Sequence, residues 1–202
     1  MSVRWGVLGG TFDPIHYAHL AIAEQVREQF DLGGVLFVPA NETVHKDAAA
    51  VTPVGHRLTM LELAVAGNGA FKVDRLEIDR GGPSYTVDTL TELAARQPEV
   101  AWTFIVSAQA ARELPGWREP QRIVELATIV IVPRLGYTTP DREWLAQRFP
   151  GHGDHFVFAD APALGHSASD IRSRVAAGHS IRYLVPDAVA TYIGQHGLYR
   201  AR

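Results

Sequence analysis

The sequence contains no cysteine. That absence excludes disulfide frameworks, thiolate zinc sites and cysteine nucleophiles at once, and leaves the compartment open on that count. Lysine is nearly as scarce: of 19 basic residues only Lys46 and Lys72 are lysines, and the rest are arginines. Positive charge is not in excess either, because 19 Lys and Arg face 22 Asp and Glu for a net charge of −3. With a pI near 6.3, the electrostatic footprint of a protein that coats nucleic acid is missing. No apolar run approaches a bilayer span, since the longest, residues 126–132, is interrupted by Thr128. The first residues show no basic segment followed by an apolar stretch, so no secretory signal is read. There is no internal repeat and no low-complexity tract, and the nearest thing to a linker is residues 40–53. The expectation is a soluble, cytoplasmic protein with no nucleic-acid partner and no membrane association; self-association is allowed but not specified.

What is present fits one domain. A chain of 202 residues, 47% apolar, buries roughly 70% of its extended surface on folding, enough for a substantial core. Short β-rich runs bounded by turn residues predict strands at residues 3–8, 35–38, 71–73, 102–106, 128–132 and 155–158. Between them lie segments with helical spacing: Leu20-Ala23-Val26-Arg27-Phe30, Leu58-Leu61-Leu63-Val65 and Val87-Leu90-Leu93-Ala94. Pro53 behind Thr52 reads as a first-turn proline, and Gly178 as a C-terminal stop. The last third is more helical, with short helices at 169–177 and 186–195. Strands alternating with helices at this pitch predict an α/β fold, a doubly wound Rossmann-like parallel sheet with a small helical C-terminal part. In such sheets ligands bind beyond the carboxyl ends of the strands, where the strand order reverses.

The turn after the first strand reads Gly9-Gly10-Thr11-Phe12-Asp13-Pro14-Ile15-His16-Tyr17-Ala18-His19-Leu20. Paired glycines let backbone amides approach a ligand, and a helix beginning near His16 aims its N-terminal dipole at an anion. The spacing is neither a Walker loop nor the Gly-x-Gly-x-x-Gly dinucleotide fingerprint. His16 and His19 fall on one side of a helical turn, where two imidazoles can donate to phosphate oxygens. A zinc site needs a third ligand, and the local spacing places none. Taken alone, the segment reads as an ordinary glycine turn with two partly exposed histidines. Near the C-terminus, His166-Ser167-Ala168-Ser169-Asp170-Ile171-Arg172 offers Ser167 or Ser169 as a helix N-cap, with free amides and Arg172 one turn on. By itself this is a capped amphipathic helix.

Together these residues carry a resemblance. Gly9-Gly10-Thr11-Phe12-Asp13-Pro14 followed by His16-x-x-His19 resembles the signature of the nucleotidyltransferase superfamily with the His-x-Gly-His motif, and within it the bacterial nicotinate-mononucleotide adenylyltransferases. Ala18 stands where the motif has Gly. The second segment is similar to an Ile-Ser-Ser-Thr-x-Ile-Arg motif, from which His166 and Ala168 depart. Gly81 to Leu90 resembles a Ser/Thr-Tyr-Thr helix start, and the loop 39–47 resembles one in which a lysine, here Lys46, reaches a phosphate. The resemblance spans nearly the whole chain and implies one nucleotidyltransferase domain over 1–202, with 160–202 a helical subregion carrying the second phosphate motif. It implies ATP binding by Gly9, Gly10, Thr11, Phe12, His16, His19, Ser169, Ile171 and Arg172. It implies binding of the acceptor mononucleotide by Lys46, Tyr85, Thr86, Gln109, Trp117 and Arg134, with Trp117 stacking on a pyridine ring. His16, His19 and Arg172 are implied as catalytic. One departure bears on chemistry: Ser107-Ala108-Gln109 stands where the family has Gly-Ala-Asp, so Gln109 offers one acceptor and no charge.

The implied reaction is adenylyl transfer from ATP to nicotinate mononucleotide, giving the deamido dinucleotide and pyrophosphate in NAD biosynthesis, with Mg²⁺ carried on the substrate phosphates and no protein cage for it. Two other readings stay open at this point. One is a related transferase with a different phosphorylated acceptor. The other is a nucleotide-binding module with lost or reduced catalysis, prompted by Ser107-Ala108-Gln109.

Overall fold

In a computed structural model that describes residues 3–43, 51–161 and 165–200, β1 (Val3–Gly10), β2 (Gly34–Pro39), β3 (Phe71–Val73), β4 (Val100–Ser107), β5 (Thr128–Val132) and β6 (Phe156–Phe158) form one sheet. Their order is β3-β2-β1-β4-β5-β6, and every neighbouring pair is parallel. The expected doubly wound sheet is what forms. Its strands are near-continuous apolar runs because both faces are covered: all six residues of β2 are buried, as are four of the five in β5.

Alternation sends neighbouring residues to opposite layers. Leu8, Val35, Phe37, Ile105, Val130 and Val132 join the core under α1 (Tyr17–Gln29), α2 (Val54–Val65), α8 (Ala168–Ala176) and α9 (Asp187–Gln195). Val7, Leu36, Val38, Phe104, Val106, Ile129 and Ile131 join the other core, under α3 (Leu76–Arg80), α4 (Thr86–Arg96), α5 (Ala108–Glu113), α6 (Pro120–Leu126) and α7 (Arg142–Arg148). Each such Val, Ile or Phe removed from water contributes about 1.5–3 kcal/mol before chain entropy is subtracted. The two layers follow from the connections. A right-handed crossover that moves one way from β1 covers one face, and one that moves the other way from β4 covers the opposite face.

Where sequence and structure differ, the reason is local. Pro53 is the N-cap of α2 rather than its first residue, with no side-chain cap. His155 lies in a 3₁₀ turn before β6. The helices α3, α5, α6 and α7, each seven residues or fewer, are too short for a helical period to show. Gly178 does end α8, with φ 72° and a bond from its N–H to the Val175 carbonyl. Among the described residues no helix is long and apolar enough to cross a membrane.

Gly34 opens β2 where no side chain fits: a Cβ there would stand 2.5 Å from the Ala70 carbonyl oxygen and 2.6 Å from the Trp5 ring. Gly34→Ala is expected to lower stability by about 1–3 kcal/mol through overpacking, read as a fall in the urea midpoint; an unchanged midpoint would show that β2 and Trp5 separate freely.

Candidate active site

The strand order reverses between β1 and β4, and there the carboxyl ends of the two strands part to leave a cleft with two chambers. The first, about 490 Å³, is lined by Thr11, Phe12, His16, Ala18, His19, Ser107, Arg134, His166, Ser167 and Ala168 among others. The second, about 610 Å³, is lined by Gly10, Glu77, Ser84, Tyr85, Thr86, Trp117 and Arg118 among others. Gly9, Thr11, Phe104 and Trp117 belong to both, so the chambers meet over the end of β1. A Cβ at Gly9 would meet only the Phe104 ring, at 3.9 Å. The protein's own packing therefore does not demand glycine at this position, and the space over the strand end is open to both chambers. Gly10 is tighter, because its Cβ would press the Phe12 ring at 3.2 Å. Phe12 itself is buried and left-handed at φ 48°, a conformation that concentrates at functional sites.

His16 is the N-cap of α1 and only 5% exposed. Its ring stacks on His19 with centroids 3.7 Å apart, and Phe12 meets His19 edge-on. The His16 backbone N–H donates to His19 Nδ1 at 3.3 Å. With Nδ1 accepting, the proton of a neutral His19 sits on Nε2. His16 Nδ1 is buried without a partner among the described residues. Burial first, then the charges of His166 and Arg134, lower the His16 pKa to about 4. Ala18 is buried on the first-chamber wall, and α1 continues through it without a break, so the methyl group that replaces the motif glycine is absorbed by the helix. Ser107, the other departure, is the N-cap of α5: its Oγ accepts from the Ala110 N–H at 3.2 Å.

In the second chamber Tyr85 is the N-cap of α4 and Thr86 its first residue. The Arg118 guanidinium lies 4.8 Å over the Tyr85 ring. Trp117 meets Phe104 edge-on, and its indole N–H is buried with no partner among the described residues, a donor held ready for an occupant. Glu77 is buried on the same wall and accepts from the Thr89 hydroxyl. Burial raises its pKa, opposed by hydrogen bonds from Ser84 and Thr89 and by the Arg80 charge.

The turns around the cleft hang on side chains that the motifs did not single out. Arg57 is 1% exposed. Its guanidinium donates to the carbonyls of Thr11 at 2.8 Å, Thr52 at 2.9 Å and Asn41 at 3.1 Å. Asn41 in turn donates its N–H to Ser84 Oγ at 2.9 Å and its amide to the Gly82 carbonyl at 3.1 Å, which ties the second chamber's wall to the same arginine. Asp13 is also buried and accepts from Tyr199 Oη at 2.7 Å and from the Thr52 N–H at 3.2 Å. Burial and this bond push the Tyr199 hydroxyl up. One signal for Arg57 was available: with Met60, Leu61 and Val65 it lies on the buried stripe of α2, a charge at a core position.

The residues implied by resemblance are thus distributed unevenly. Gly9, Thr11, Phe12, His16, His19 and Arg134 line the first chamber. Gly10, Tyr85, Thr86 and Trp117 line the second. Arg172 donates to the Asp13 carbonyl at 2.7 Å, against the turn after β1 rather than on a chamber wall. Ser169 shares a hydrogen bond with Ser167 at 2.8 Å, and Ser167, not Ser169, caps α8. The Ile171 side chain is fully buried in the core, so only its backbone can face a ligand. Gln109 turns along its own helix to Glu113 at 2.9 Å and lines neither chamber. Lys46 lies outside the described residues.

Residues 7–174 match the family described as cytidylyltransferase-like. A Roseiflexus sp. protein named "probable nicotinate-nucleotide adenylyltransferase" is 49% identical over 98% of this chain and 99% of its own. A Thermomicrobium roseum protein of the same name is 43% identical over 98% of this chain and 92% of its own. Among solved structures, the Plasmodium falciparum nicotinic acid mononucleotide adenylyltransferase complexed with NaAD superposes with a TM-score of 0.80, at 19% identity, over 98% of this chain and 97% of that one.

The depressed His16 pKa is a stability statement. Between the ordinary value of 6.5 and the folded value of about 4, the unfolded chain binds the proton and the folded chain does not. Stability from this group is therefore complete above about pH 6.5 and falls as the solution is acidified. His16→Asn is expected to lose about 2 kcal/mol less than the parent between pH 7 and pH 5, measured by urea unfolding at each pH. Identical slopes would show that His16 titrates as an exposed imidazole.

Proposed function

The chain belongs to the cytidylyltransferase-like family, and from that membership and its close relatives we propose that it transfers the adenylyl group of ATP to nicotinate mononucleotide, releasing pyrophosphate and forming nicotinate adenine dinucleotide for NAD biosynthesis. The observation that carries the reading is the pair of chambers sharing one glycine floor: two ligands lying in them meet over Gly9 and Thr11. ATP takes the first chamber, with its polyphosphate against His16, His19 and Arg134. The acceptor takes the second, where Trp117 and Tyr85 give flat apolar surface for a pyridine ring and the free amides at the start of α4 suit its carboxylate. The Plasmodium falciparum nicotinic acid mononucleotide adenylyltransferase, which shares this fold, is complexed with NaAD and with APC, ligands of the kind this reading assigns. We treat 1–202 as one nucleotidyltransferase domain, located in the cytoplasm with its ATP supply.

The acceptor's 5′-phosphate oxygen attacks the α-phosphorus in line. A P–O bond forms on one side as the bond to the β-phosphate oxygen breaks on the other, and pyrophosphate leaves with the electron pair. No covalent enzyme intermediate is needed, so catalysis rests on positioning and on charge. His19 holds a donor at Nε2. Burial keeps His16 neutral, and an incoming polyphosphate favours its charged form, opposing the effect of His166 and Arg134. Arg172 stands one contact away, on the Asp13 carbonyl, and exchanging that carbonyl for a phosphate oxygen would add a further positive charge. Among the described residues no group of three His, Asp or Glu side chains converges on a metal position. A divalent ion carried on the ATP phosphates would neutralise part of their charge, while His16, His19 and Arg134 face the polyphosphate from the protein.

Pyrophosphate release is expected with ATP and nicotinate mononucleotide, and an acceptor screen in which another phosphorylated acceptor alone turns over would overturn the assignment. His19→Ala is expected to lower kcat by at least about 100-fold, the loss of one preorganised donor to a transition-state oxygen; a near-normal rate would remove His19 from the chemistry. Trp117→Ala is expected to raise the acceptor KM more than it lowers kcat, and an unchanged KM would reduce Trp117 to packing.

A further inference from the structure

We propose that His166 is a polyphosphate-binding residue, a third imidazole of the first chamber that holds the terminal phosphates of ATP and the departing pyrophosphate. The proposal rests on the adenylyl-transfer reading for the identity of its ligand. His166 immediately precedes Ser167, the N-cap of α8, and it lines the first chamber together with His16, His19 and Arg134. These groups come from three separate elements: the start of α1, the end of β5 and the approach to α8.

The positive charges of His166 and Arg134 both reach His16, where they disfavour its protonation. Among the described residues no ion pair involves His166 or Arg134. Arg134 lies over the Tyr137 ring. The carboxylates on the same wall are committed elsewhere: Asp13 accepts from Tyr199 and Thr52, and Asp170 accepts from the Ser167 hydroxyl at 2.6 Å. Among the described residues neither His166 nor Arg134 has an ion-pair partner, both disfavour a charge on His16, and an anion between them turns that repulsion into attraction.

The chemistry of the α8 wall selects His166 as the donor. Ser167 Oγ is already engaged with Asp170 and Ser169. Ala168, which also faces the chamber, has no donor to give. His166 is the side chain of this wall that can present an N–H to a phosphate oxygen without breaking a bond.

The test measures ATP KM by pyrophosphate release, and inorganic triphosphate affinity by calorimetry, for the full-length parent, His166→Ile and His166→Gln. His166→Ile is expected to weaken both by about tenfold or more, as for loss of one charged hydrogen bond, with a smaller change in the acceptor KM. His166→Gln, which keeps an N–H donor, is expected to stay within about threefold of the parent. Triphosphate affinity and ATP KM within twofold of the parent in His166→Ile would overturn the proposal, and so would equal losses in the two variants. If the parent turns over no acceptor yet binds triphosphate in a His166-dependent way, the functional reading falls while this inference stands.

Discussion

A single buried guanidinium sets the shape of the cleft. Arg57 bonds to three backbone carbonyls on three segments: Thr11 after β1, Asn41 after β2 and Thr52 before α2. None of these segments is regular structure, so their carbonyls draw on side-chain donors. A guanidinium suits this position better than an ammonium because its planar fork presents fixed donors in several directions. Burial lowers its pKa while the nearby Asp13 carboxylate opposes the shift, so the charge stays where the loops need it. Through Asn41 the same clamp reaches Ser84 and Gly82 on the second chamber. Both halves of the cleft are thereby referred to one side chain that touches neither chamber's contents.

The electrostatics of the cleft complement this rigid frame. The net charge of −3 describes the whole surface and says little about a small polyphosphate ligand. What matters is that His16, His166 and Arg134 converge in the first chamber, while the carboxylates beside them are tied to Tyr199, Thr52 and Ser167. Burial, with the charges of His166 and Arg134, keeps His16 neutral, and an anion complements the set. Arg172 follows the same logic, held by the Asp13 carbonyl on the turn that the phosphates would approach.

Much of the site could be read from local spacing. Gly9, Gly10, His16 and His19 sit close together in sequence, and a strand end followed by one helical turn brings them together in space with little help from the rest of the chain. The same holds for Ser167 as the cap of α8 and for Tyr85 and Thr86 at the start of α4. Other residues escaped that reading for physical reasons. Arg57 and Glu77 act through burial, which is a property of the packed helix face rather than of neighbouring letters. Ser107 stands where the resemblance has glycine, and its hydroxyl caps α5. Gln109 is implied as an acceptor contact by the resemblance alone, and its amide bonds to Glu113 on the same helix.

The sequence by itself determined the element types and the sheet class, because hydrophobic period and turn chemistry are local: β5 is Thr-Ile-Val-Ile-Val wherever it lies, and it needs cover on both faces. It also determined that paired glycines and two histidines flank the first helix. Only the tertiary structure decided that the cleft has two chambers meeting over Gly9, since that depends on the strand order reversing between β1 and β4. It alone brought His166 to His16 across 150 residues of chain and Tyr199 to Asp13 across 186. Such contacts are made by helices folding back over one face of the sheet, and no local period records which side chains will meet there.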